Sequence, residues 1–207
     1  MHYHNEALEK DKWRIYKSSV ILENKDLMDA HLEVLHRGLL KHLGRLEDPE
    51  GVDTTWLNGR YNFFAASQFQ HPVFMLLWEE VVDVIRQCTP PEVKYVWVQS
   101  WLNYDTQDTV EVTLKPHTHS TSMQGYISIS PGKTKTVFED WEIVNEVGNI
   151  FMGQGKWIHH VENTGKYDAP RTTIGLDVIF GDDPGEGWDA ESYIREPWHY
   201  NWIPLVL

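Results

Sequence analysis

The chain has 207 residues, 41% of them hydrophobic, with 18 Lys and Arg against 31 Asp and Glu for a formal net charge of -13. That length and apolar content suit a single domain, residues 1–207, able to hide about 70% of the surface its unfolded chain would expose, so disorder is not the expectation. A surface this negative disfavours nucleic acid and anionic lipid as partners.

One cysteine, Cys88, permits no intrachain disulfide and no multi-Cys zinc site, which fits a reducing compartment and makes the cytoplasm the expected location. MHYHNEALEKDKW lacks the apolar centre of a signal peptide. The longest apolar run, Val73 to Trp78, falls far short of the ~20 residues needed to cross a bilayer, so no membrane association is expected.

Taken in chain order, the first periodic stretch runs from Asp26 to Leu46. Met28, Leu32, Leu35, Leu39, Leu43 and Leu46 recur in steps of three and four and predict an amphipathic helix. A second helix is predicted after His71-Pro72, with Phe74, Leu77, Trp78, Val81 and Ile85 on one face and a stop at Thr89-Pro90-Pro91. Beyond Pro91 short β-branched and aromatic runs replace the helical pattern: Val93 to Tyr104, Val110 to Leu114, Met123 to Ser130, Lys135 to Phe138, Asn149 to Met152, Lys156 to Glu162 and Thr172 to Phe180. Successive strands with no helix between them argue an antiparallel sandwich or barrel with the helices across one face. Gly181 to Gly187 reads as a connector, and Trp188 to Leu207, with three Trp and two Pro, as a covering tail. The chain thus divides into a helical support region (1–90), a β core (91–181) and the tail (182–207).

Eleven histidines are present, and four fall in two tight pairs, His117/His119 and His159/His160. At the start of a strand-like run, His117 and His119 would project to one face about 6.6 Å apart, close enough to share a metal. His159 and His160 lie on a second strand-like run and face opposite sides of it, so at most one can join them. Three such ligands would cap one face of an octahedron and leave the other open, and neutral imidazole suits Fe(II), Zn(II), Cu(II) and Ni(II) alike.

From Gln99 to Phe180 the sequence resembles the 2-oxoglutarate and iron(II)-dependent oxygenases of the prolyl-hydroxylase-like type. That family has a histidine-x-acid pair, a strand of the S-G-x-Y-Y-L kind, a later strand carrying a distal histidine, and then an Arg-x-Ser/Thr strand. The matching elements are His117-Thr118-His119, Gln124-Gly125-Tyr126-Ile127-Ser128-Ile129, Gly148-Asn149-Ile150-Phe151 running on to Trp157-Ile158-His159-His160-Val161, and Arg171-Thr172-Thr173. His119 stands where the family has an acid, as in phage and bacterial members with H-x-H, and Phe151-Met152-Gly153-Gln154-Gly155 replaces an F-P-S element.

The resemblance implies a double-stranded β-helix (jelly-roll, cupin-like) core, mainly β with flanking N-terminal helices. It implies Fe(II) held by His117, His119 and His159, with 2-oxoglutarate as cosubstrate. Arg171 and Thr173 would grip the far carboxylate of 2-oxoglutarate as a charge-assisted fork worth about 1.5–3 kcal/mol. Tyr126 and Ser128 share a strand face, with Ser128 at the position where the family often has a carboxylate-binding Tyr, and Trp101 and Asn103 face cofactor or substrate. The implied reaction consumes O2 and 2-oxoglutarate and yields succinate, CO2 and a hydroxylated small-molecule or protein substrate. Neither that substrate nor the oligomeric state is legible in the residues.

Two other readings compete. A cupin-like three-His dioxygenase accounts for the histidines but not for Arg171, and the cupin Glu a few residues past H-x-H is absent. A non-catalytic jelly-roll binding module would use the Trp residues to stack on sugars. His31-Leu32-Glu33 is an H-x-E on a predicted helix, where i and i+2 point apart, and reads as structural, while His2, His4, His36, His42, His71 and His199 show no spacing that asks for a role.

Overall fold

The computed structural model describes residues 13–42, 61–67, 71–105, 112–166, 170–181 and 202–207. Strand β1 (Arg14–Lys17) precedes three helices: α1 (Ser19–His42), α2 (Phe63–Ser67) and α3 (Pro72–Cys88). There follow β2 (Tyr95–Asp105), β3 (Val112–His117), β4 (Met123–Ser130), β5 (Thr134–Phe138), β6 (Glu142–Val144), β7 (Asn149–Gln154), β8 (His159–Asn163), β9 (Arg171–Phe180) and β10 (Ile203–Val206).

Helix α1 begins seven residues before the sequence pattern places it. Ser18 caps it, its Oγ accepting from the Ile21 amide at 3.1 Å. The buried Glu80 carboxylate of α3 sits at the same helix start, bonded by the hydroxyls of Ser18 and Ser19, where the helix dipole favours negative charge. Asn24 has non-helical backbone angles, a kink that breaks the apolar stripe and hides the first turn from periodicity. Leu43 and Leu46 lie outside the described residues. Helix α3 follows its signals closely: Pro72 opens it, His71 Nδ1 caps it by accepting from the Val73 amide at 3.2 Å, and Thr89 closes it.

The ten strands form two antiparallel sheets. The larger runs β1-β7-β4-β9-β2-β10 and the smaller β3-β8-β5-β6. Strands β2 to β9 pass back and forth between the sheets, save at the β5–β6 hairpin, which makes the core a jelly roll. Strands β1, β6 and β10 are three or four residues long, too short to register as alternation in the sequence. Residues 182–201 of the expected covering tail lie outside the described residues, and its last residues form an edge strand against β2, Ile203 opposite Val98.

Period-two alternation gives the large sheet two unlike faces. One carries Val96, Val98, Leu102, Ile127, Ile129, Ile150, Ile174, Leu176 and Val178 against Met28, Leu32, Phe74, Leu77 and Ile85 of the helices, and this is the main core. Each such side chain, fully buried, contributes about 1.5–3 kcal/mol. The other face carries Trp101, Asn103, Gln124, Tyr126, Arg171, Thr173 and Gly175 and looks toward the small sheet across a cavity. A second apolar cluster of Trp13, Phe138, Ile143 and Phe151 closes one side of that space.

Candidate metal centre

His117 is the last residue of β3 and His159 the first of β8, directly opposite each other in the ladder. His119 lies beyond the end of β3, so the expected single strand face carrying both histidines is not how they meet. Pro116 cannot donate to the ladder and falls in the irregular stretch of β3–β8 pairing between Leu114 and His117, and β3 ends one residue later, at His117. His119 is instead pinned by its own amide, which donates to the Gly155 carbonyl at 2.9 Å.

The three rings converge, with centroids 4.3 Å apart for His117 and His159, 5.0 Å for His117 and His119, and 5.3 Å for His119 and His159. Their ligand nitrogens all lie within 4.8 Å of one another. His160 points to the opposite side of β8, where its Nε2 meets Glu162 at 2.8 Å, so the pair divides as strand geometry requires.

Each of the three Nδ1 atoms is already engaged: His117 with the Lys115 carbonyl at 2.8 Å, His119 with the Asp177 carboxylate at 2.7 Å, and His159 with the Trp157 carbonyl at 3.1 Å. Carbonyls and carboxylates only accept, so each Nδ1 carries the proton and each Nε2 keeps its lone pair for a metal. Gln124 supports this arrangement from below, its Nε2 donating to the carbonyls of both Gln154 and Trp157 at 3.1 Å. The same Trp157 carbonyl therefore orients His159 and is itself held by Gln124.

Electrostatics separate the three rings. Burial, then the charge of His117, pushes His159 down to about 3, and burial likewise lowers His117. Burial would lower His119 as well, but the charge and hydrogen bond of Asp177 outweigh it and raise that imidazole above its ordinary value.

The cavity beyond the histidines encloses about 520 Å³ including its open mouth. Arg171, Thr173 and Tyr126 line its other end, with Asn103 Nδ2 donating to Thr173 Oγ1 at 3.2 Å. Arg171 and Thr173 are both buried, as the alternation from Arg171 requires. Burial pushes the Tyr126 phenol up, with the Arg171 charge opposing it. Ser128 shares the Tyr126 strand face and sits opposite Thr173, fully buried, yet it does not line the cavity: a serine hydroxyl lacks the reach of the tyrosine expected there. Trp101 lies at the metal end, its ring 6.0 Å from His119 and nearly parallel to it. It occupies space that only a glycine leaves open, since a Cβ on Gly175 would come 2.3 Å from the indole.

Three clustered imidazoles whose Nδ1 atoms are engaged elsewhere fit a divalent first-row metal through Nε2, and a buried cation with hydroxyl neighbours fits a carboxylate at the far end. Asp177 is the residue that the sequence reading passed over. The signal for it is the alternation Arg171, Thr173, Gly175, Asp177, which puts the lone acid of an apolar strand on the site face.

No protein-family model and no curated protein sequence matches the chain. Among solved structures, the chain resembles SnoN, a non-heme alpha ketoglutarate dependent epimerase from nogalamycin biosynthesis. The match has 11% identity, covers 82% of this chain and 79% of that one, and has a TM-score of 0.50. SnoN in complex with Fe3+, alpha ketoglutarate and nogalamycin RO aligns at 12% identity over 89% and 90% of the two chains, again with a TM-score of 0.50. The non-heme monooxygenase ThoJ, in its Ni complex, aligns at 9% identity over 87% and 73%, with a TM-score of 0.48. At such identities the likeness concerns the fold, which agrees with the jelly roll described above. Among the described residues no helix is long and apolar enough to cross a membrane.

Proposed function

We propose that the chain is an Fe(II)- and 2-oxoglutarate-dependent oxygenase of the prolyl-hydroxylase-like type that hydroxylates a C–H bond of a small-molecule or peptide substrate, in the cytoplasm. The observation that carries the reading is one cavity with three Nε2 donors at one end and the buried Arg171 at the other. A cupin-like site would need the histidines alone and does not call for a cation at the other end of the cavity.

In this reading His117, His119 and His159 hold the metal. Arg171 binds the distal carboxylate of 2-oxoglutarate, and Thr173 and Tyr126 add hydroxyl contacts to it. Charge-assisted bonds of this kind are strongest where water is excluded, and Trp101 and Phe151 wall the space between the two ends. Bound Fe(II) would supply the activation of O2 that couples loss of CO2 from 2-oxoglutarate to oxygen insertion, leaving succinate and the hydroxylated product. The ligand set carries no charge of its own, and Asp177 sets one negative charge immediately behind it.

The test is turnover without a prime substrate. Protein loaded anaerobically with Fe(II) is given O2 and 2-oxoglutarate, and succinate is measured. Succinate formation that requires both Fe(II) and 2-oxoglutarate is expected. Metal uptake with neither succinate nor 2-oxoglutarate binding would favour the cupin-like reading, and absence of all three would favour a binding module.

A further inference from the structure

We infer that Asp177 is a positioning residue for the metal centre: its carboxylate holds His119 in the form that carries the proton on Nδ1 and presents Nε2 to the metal. The inference rests on the metal-binding part of the proposed function and goes beyond it by naming the group that makes a histidine able to stand where an acid would otherwise ligate.

Three observations carry it. His119 lies outside any strand, so no ladder fixes its side chain, and its amide donates to the Gly155 carbonyl. The Nδ1 to Oδ1 distance of 2.7 Å is the shortest of the three bonds that orient the histidines, and it is the only one made to a side chain; the other two run to carbonyls two residues from each ring in sequence. Asp177 itself is well held. It is buried in the middle of β9, paired to Gln99 on one side and Gln124 on the other, and its Oδ1 also accepts from Thr121 Oγ1 at 3.3 Å. A rigid acceptor thus fixes the rotation and tautomer of a ring that no strand ladder holds and that otherwise only packs against Trp101 and the other two histidines. In metal sites generally such a partner fixes the tautomer and rotation of the ligand and raises its basicity, and its removal lowers metal affinity about 10–100-fold.

The alternative is a structural ion pair that serves only to anchor the 119–123 segment to β9. A structural role alters stability and leaves the tautomer of His119 and the ligand field of a bound metal as they are.

The experiment uses the full chain, without 2-oxoglutarate or O2, and Co(II) as the probe. Imidazole tautomers are read by long-range proton–nitrogen spectra of the metal-free protein, and Co(II) binding is read by titration and by its d–d absorption. In the unaltered protein His119 is expected in the Nδ1–H form. Asp177→Asn keeps an acceptor oxygen of the same shape and should keep that form, with the smaller loss of Co(II) affinity. Asp177→Ala should mix the tautomers, weaken Co(II) about 100-fold and alter the d–d bands. Asp177→Leu, branched in the same way and without an acceptor, should behave as the Ala variant does and carries the test if Ala loosens the strand. Wild-type tautomer and affinity in the Ala and Leu variants would overturn the inference, as would an Asn variant that falls as far as Ala. Failure of the unaltered protein to form succinate would sink the oxygenase reading while leaving this result standing, whereas failure to take up Co(II) would overturn both.

Discussion

Replacing His159 by Gln should flatten the acid sensitivity of the metal-free protein. His159 is 8% exposed, and burial together with the neighbouring His117 pushes its pKa from 6.5 to about 3. Below pH 6.5 the unfolded chain takes up a proton at this ring and the native protein does not. The unfolded state therefore binds more protons, and stability falls as pH falls, until the native ring also protonates near 3. Each pH unit in that window costs about 1.4 kcal/mol, so the change from about pH 7 to about pH 5 removes about 2 kcal/mol through this ring alone. Gln does not titrate, and its amide can still donate to the Trp157 carbonyl. Carboxylates and the other histidines contribute nearly equally to both proteins and cancel in the comparison. Urea unfolding of wild type and His159→Gln, with a chelator present, should show a gap that shifts by about 2 kcal/mol in favour of the variant between those two pH values. Parallel pH profiles for the two proteins would show that the ring titrates normally and that the reasoning from burial is wrong.

Arg171→Ala should weaken 2-oxoglutarate binding by about tenfold or more while metal affinity stays nearly intact; equal loss of both, by calorimetry, would make Arg171 a structural cation. Apparent metal affinity should decline as pH falls, beginning above the ordinary imidazole value because Asp177 raises His119, with His117 and His159 competing for protons only at lower pH. Zn(II) titrations that stay flat from about pH 8 to about pH 5.5 would refute histidine ligation. Gly175→Ala should drive Trp101 from its seat over His119 at a cost of about 1–3 kcal/mol, read by urea midpoint and tryptophan fluorescence; an unchanged spectrum would refute the contact. His160→Ala should leave metal affinity unchanged, since that ring faces away from the cluster; a tenfold loss would contradict the assignment of His159.

What the residues revealed depended on how far each signal was local. Met123–Ser130 and the start of α3 at Pro72 emerge as the sequence pattern places them, because strict alternation and a Pro after a capping residue are local statements. The gathering of His117, His119, His159 and Arg171 around one cavity followed from a family resemblance rather than from periodicity. The start of α1 was hidden because it depends on Glu80, more than sixty residues away, and on a kink at Asn24 that no stripe predicts. His119 departs from the strand pair that its spacing predicts because β3 stops at His117, just past the irregular pairing around Pro116, which makes the two histidines a strand end and a loop. Asp177 was within reach, since the alternation that paired Arg171 with Thr173 continues to it. An acid in an apolar run asks for a partner, and the partner was a histidine already under consideration.

Strand β9 carries Arg171 and Asp177 on one face, six residues apart, and is hydrogen-bonded along its length to β2 and β4. At about 3.3 Å per residue the two anchors stand roughly 20 Å apart along the backbone, and the side chains reach inward from there. The strand is in effect a ruler for whatever molecule is held at both ends. A change of one residue would turn Arg171 or Asp177 to the helix side, and a change of two would alter the gauge by about 6.6 Å while breaking two ladders at once. In the proposed function, the length of the molecule gripped between metal and cation would therefore be the property least open to drift. Variation in what reacts must enter through the mouth of the cavity, where no such double pairing fixes the spacing.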